Sequence, residues 1–197
     1  MALLDPAAGP PTGPVSLART WLTVLAHPRA FFRASVLERR QEAGLAFGMA
    51  VVAVEESVRL AAGGAVPVLG EQALLSAVLW LGVAVLVVAP VALHLVAALQ
   101  TLALVPFAPD RGGVSETVQV LGYATAPCAL AGLPLPAVRV VVAAWGAWLL
   151  AVGVREVHGV PPGRAAALSA VPSALVFGYG FRGFDALLAL LARWYVV

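Results

Sequence analysis

The 197-residue chain has no lysine, no asparagine and no isoleucine, and all twelve of its basic residues are arginine. Codon usage rich in G and C depletes these three residue types together, so the bias reads as a coding effect. The arginines are scattered rather than striped, which excludes the electrostatic footprint of a nucleic-acid-binding face. Cys128 is the only cysteine. An internal disulfide and a cysteine-based metal cluster are therefore excluded, and the residue reads as a small buried hydrophobe. His27, His94 and His158 are too widely spaced to form a metal-ligand pattern. Charge of either sign is sparse: 11% of residues are charged and 61% hydrophobic, whereas about a quarter are charged in soluble domains. Proline and glycine fill residues 5–14 with no basic stretch leading into an apolar core, so no secretory signal is expected there.

The longest absence is the most informative. From Gln72 to Pro109, 38 residues pass without Asp, Glu, Lys or Arg. A hydrocarbon layer of about 30 Å takes roughly 20 helical residues to cross, and inside it every backbone polar group must be paired within the protein. The expected fold is all-α, a polytopic membrane protein with five transmembrane helices. These are predicted over residues 43–62, 72–105, 115–133, 137–154 and 164–180. The second is too long for a straight crossing, and Pro90 at its middle predicts a kink or tilt. Ser115 is the expected N-cap of the third, and Pro134 and Pro136 end it.

Residues 1–14 are expected to be disordered and residues 15–42 to form a cytoplasmic amphipathic, basic segment. Within it Leu17, Trp21, Val24 and Leu25 share a helical face, Pro28 interrupts, and Phe31 and Phe32 follow between Arg29 and Arg33. Such a helix lies in the headgroup plane or packs on the ends of the bundle. With the N-terminus inside, eight arginines fall on inner segments and three (Arg139, Arg182, Arg193) on outer ones, the positive-inside pattern of a cell-membrane protein. Residues 181–197 are too short to span and are expected to be interfacial or re-entrant.

Three stretches, in their order along this five-helix layout, resemble the Yip1 family. They are Trp21 through Phe32, ending His-Pro-Arg-Ala-Phe-Phe; Leu121-Gly122-Tyr123-Ala124-Thr125-Ala126-Pro127 in the third helix; and Gly153-Val154-Arg155-Glu156-Val157-His158-Gly159 followed by Arg164-Ala165. The arginine-rich, lysine-free wording is similar to that of members from salt-loving archaea. The resemblance implies five membrane helices and a cytoplasmic N-terminus. Eukaryotic relatives act in vesicle traffic and are linked to Rab GTPases. This chain departs from them in its short N-terminal segment, which lacks their acidic Gly-Pro-containing motif, so that role is not carried over.

Ionisable residues inside spans are expensive and mark candidate sites. On a wheel of 100° per residue, Gly44, Gly48, Glu55 and Arg59 share a face, with Glu56 to its side. Gly44 and Gly48 predict close helix approach, and Glu55 and Arg59 an i,i+4 ion pair. Glu116, Gln119, Tyr123 and Pro127 fall within one arc of the third helix, with Gly122 as a further packing position. His94 is the only span histidine. Counted by depth, these groups separate into an inner and an outer set.

No nucleophile elbow, zinc helix or phosphate loop is present, and Asp5, Asp110 and Asp185 all lie outside the spans. The expectation is a protein that is not an enzyme and needs no cofactor or metal. Its expected partners are the lipid bilayer and other membrane proteins or its own copies, not nucleic acid. Two functions follow: a membrane organiser or protein-binding scaffold, or a small channel or transporter using the polar face of the first helix.

Overall fold

The computed structural model describes residues 14–36, 40–65 and 72–194. Residues 1–13, where disorder is expected, 37–39, 66–71 and 195–197 lie outside the described residues. Among those described, the regular structure is entirely helical.

Helix α1 (Pro14–Ala26) gives way at His27 to α2 (Pro28–Ser35). A residue before proline is pushed out of helical backbone, and proline is well placed in a first turn, so Pro28 ends one helix and opens the next. Helix α3 (Glu42–Ala61) closes on Gly63, at φ +83°, where a left-handed residue costs little. The Gly63 N–H bonds the Leu60 carbonyl at 3.0 Å and the Gly64 N–H bonds that of Arg59 at 2.9 Å.

Helix α4 (Ala73–Leu104) contains a wider π-helical turn at Ala84–Val88, directly before Pro90. Proline has no N–H to give the carbonyl four residues back and its ring clashes there. The Ala89 N–H bonds back to Ala84 instead, so the helix continues without the break that Pro90 otherwise imposes.

Helix α5 (Val114–Ala124) corrects two expectations. Gly113, in extended backbone, holds the cap position assigned to Ser115. The α-helix also stops short of residue 133, passing at Pro127 into a 3-10 turn over Ala126–Leu130. There the Thr125 hydroxyl donates to the Gly122 carbonyl at 2.6 Å. Helix α6 (Pro136–His158) runs one turn beyond the predicted end at residue 154, to Gly159. Helix α7 (Pro162–Gly180) finishes in π-helical turns, and α8 (Gly183–Trp194) leaves it at a bend of 72°.

Helix α5 is the axis of the bundle. Every residue from Glu116 to Ala124 is buried, the polar Glu116, Thr117 and Gln119 included, because other helices enclose α5 on all sides. Helices α3, α4 and α6 pack around it, α7 fills the space between α4 and α6, and α8 lies against α6. The α1–α2 hairpin packs its apolar face inward: Val24, Phe31 and Phe32 are buried, and the Trp21 indole donates to the Ala126 carbonyl at 2.6 Å. Of the two placements open to this segment, the bundle takes its apolar face.

Among the described helices, α4 and α6 are each long and apolar enough to cross a membrane, and α7 with α8 forms a third candidate, bent at its break. Helix α3 carries Glu55, Glu56 and Arg59 in its second half, and α5 is cut short at Pro127. Neither therefore has an unbroken apolar run of spanning length.

The α3–α5 crossing rests on glycines. A Cβ on Gly122 would strike the Gly44 carbonyl, one on Gly44 the backbone of Gln119, and one on Gly48 would come within 2.9 Å of Leu93 and 3.2 Å of Gly122. Small residues let helix backbones meet where lipid offers no hydrophobic drive. Gly122→Val is expected to cost at least the roughly 1–3 kcal/mol of core overpacking, since backbone cannot yield as a side chain does. Thermal unfolding in detergent checks this, with Gly82→Ala, at an open position, as a near-silent control.

Candidate functional site

The charged side chains of the bundle interior, with Thr101, Thr117 and His158, form two clusters at opposite ends; Ser76, Gln100, Gln119 and Ser169 are further buried polar groups. The cluster at the far end of α3 begins with Glu55 and Glu56, whose side chains are 3% and 10% exposed. Arg59 donates to Glu56 through Nη2 at 2.5 Å and Nε at 2.9 Å, and through Nη1 to the Ala65 carbonyl at 2.9 Å. Arg182, at the corner between α7 and α8, pairs through Nη2 with Glu55 and lies 3.4 Å from Glu56. Arg139 binds the α5–α6 connection by donating to the carbonyls of Ala131 (2.8 Å) and Leu133 (3.2 Å).

This corrects the predicted Glu55–Arg59 pair. Glu55 points into the bundle, where the α7–α8 corner supplies an arginine. Arg59 instead turns toward the loop after α3 and takes Glu56, one turn back. A buried carboxylate is tolerated only when paired, and Arg182 is the partner that the fold brings to Glu55. Arg182 itself has φ +57°, a left-handed backbone that costs a non-glycine residue about 1–3 kcal/mol. That residue faces both carboxylates of the cluster.

The opposite cluster centres on two threonine hydroxyls. The Thr101 hydroxyl is 2.9 Å from that of Thr117, which lies 3.4 Å from His158 Nε2. Glu116 and His158 both border Gly112. Glu156, in the last turn of α6, bonds Arg33 of α2 at 2.5 Å and lies 3.4 Å from Arg155.

Between the clusters lies a layer of rings. Phe31 meets Tyr123 edge-on at 4.9 Å between centroids, Phe47 meets the same ring at 5.4 Å, and Phe32 stands 5.7 Å from Phe31. Each such pair contributes about 0.5–1.5 kcal/mol beyond its buried area.

The predicted residues thus separate. Glu55, Glu56 and Arg59 belong to the far cluster, and Tyr123 to the ring layer. Gln119 sits under Gly44 and donates locally to the Ser115 carbonyl at 3.4 Å. His94 joins neither cluster; its Nδ1 lies 2.7 Å from the Pro90 carbonyl on its own helix. Gly44, Gly48 and Gly122 form the α3–α5 contact, and Pro127 the 3-10 turn. Reading the residues by span missed Arg182, Arg139, Thr101, Thr117 and His158 as members of these clusters. One signal was available for Arg182: two glutamates against one arginine on a single span require a further cation from elsewhere.

Apolar helices of spanning length around paired interior charges define a helical transmembrane protein. The Yip1 domain matches residues 22–181, and the chain belongs to the Yip1 family. No curated protein and no solved structure matches it.

Arg182→Ala strands Glu55 as a buried unpaired charge and is expected to cost about 3–5 kcal/mol. Adding Glu55→Gln should recover much of this loss. In double-mutant cycles by thermal unfolding, Glu55 should couple more strongly to Arg182 than to Arg59.

Proposed function

We propose that the protein is a non-enzymatic organiser or scaffold of the cell membrane, its arginine-rich end and N-terminus facing the cytoplasm. The observation that carries this reading is the ring layer of Phe31, Phe47 and Tyr123 between the two polar clusters. A path for ions or solutes is built from polar groups at successive depths, and on α2, α3 and α5 aromatic rings stand between the two clusters. The far cluster also spends its charge internally, since Glu55 and Glu56 are both engaged by arginines. What the fold offers outward is surface. Leu86, Val91, Leu95 and Leu102 of α4 are all more than half exposed, an apolar flank that suits lipid and the helices of other membrane proteins.

Flux through sealed liposomes tests the reading. Vesicles holding the purified protein are expected to stay as tight as empty ones to protons, monovalent cations, chloride and small neutral solutes. A specific flux abolished by Glu55→Gln in normally folded protein would replace the scaffold with a channel or transporter. Photocrosslinkers at Leu86 and Leu95 are expected to reach a second copy or another membrane protein; adducts with lipid alone would remove the protein-binding role.

A further inference from the structure

The α1–α2 hairpin uses only one of its two faces to hold the bundle. Trp21, Val24, Phe31 and Phe32 point inward, and the opposite face is free. On that face of α1, Val15 is 75% and Leu22 60% exposed, with Arg19 between them. On α2, Arg29 and Arg33 stand one turn apart and point outward. No acidic residue occurs between Pro6 and Leu37, so nothing in the hairpin's own sequence neutralises these three arginines. Glu156 engages Arg33 but is itself buried, and the Arg33 side chain remains 66% exposed. Among the described residues, Arg19 and Arg29 have no bonded side-chain partner. The Arg33–Glu156 bond fixes the height of the surface. Glu156 lies in the last turn of α6, a helix of spanning length, so α2 sits where headgroups begin.

We propose that the outward face of α1 and α2 docks anionic phospholipids of the leaflet at this end of the bundle. Exposed apolar side chains interleaved with arginine, without carboxylates, match acyl chains below and phosphate above. Guanidinium groups bind phosphate oxygens in bidentate fashion. The apolar inner face keeps the hairpin in place, so the arginines are presented without any ordering of the segment on binding. The inference does not depend on whether the protein organises partners or passes solutes.

The test uses the full-length protein in phosphatidylcholine vesicles carrying trace spin-labelled phosphatidylglycerol or spin-labelled phosphatidylcholine. The motionally restricted fraction of each probe gives its relative association with the protein. Wild type is expected to prefer phosphatidylglycerol, and raised salt to weaken that preference. The Arg19→Gln/Arg29→Gln variant, which removes no bond to the bundle, should lower the preference by up to about fivefold per arginine. Equal association of both probes with wild type overturns the proposal without recourse to any variant. A preference left intact in the folded double variant overturns it too, and would turn the basic face toward an acidic protein instead.

Discussion

The backbone contact between Gly44 and Gly48 of α3 and Gly122 of α5 is the constraint from which the rest of the interior follows. Because these helices meet without side chains between them, their register is set to within a residue. That register stacks Phe47 beside Tyr123 and brings the Glu55 backbone against Gly132. A slip of one residue along α3 would turn Glu55 away from Arg182 and Phe47 away from Tyr123 together. The packing therefore decides both where charge can be buried and where the interior is closed.

Tyr123 is the point at which the separate segments join. Its ring touches Phe31 from the N-terminal hairpin and Phe47 from α3, so a segment outside the long apolar helices becomes part of the core. The hairpin is held at both ends, by the Trp21 indole on the Ala126 carbonyl and by Arg33 on Glu156. The backbone that carries the exposed arginines of α1 and α2 is consequently anchored to the bundle. The same anchoring leaves a basic face on the hairpin and an apolar flank on α4 turned outward.

The prolines show how local chemistry and packing divide the work. Pro28, Pro136 and Pro162 each open a helix, which their fixed φ favours. Pro90 sits inside α4, and its effect could be foreseen only as a disturbance. Whether that becomes a kink, a break or a π-helical turn depends on the neighbours, and the neighbours here keep α4 straight enough to pack along α5. Pro127 met the opposite outcome, because α5 is enclosed on all sides and the chain could tighten into a 3-10 turn.

Hydropathy alone determined that this chain is an all-helical membrane protein and roughly where its helices lie, and small residues marked Gly44, Gly48 and Gly122 as packing positions without naming what they meet. Those properties depend on side-chain polarity and on the fixed period of the helix, both of which can be read one segment at a time. The partners of the buried polar groups belonged to the tertiary structure. Glu55 and Arg182 are 127 residues apart, and Thr117 and His158 are 41 apart. A charge in an apolar medium takes whichever opposite charge the packing brings nearest. Helical spacing offered Arg59 to Glu55, and only the folded corner between α7 and α8 could supply Arg182 in its place.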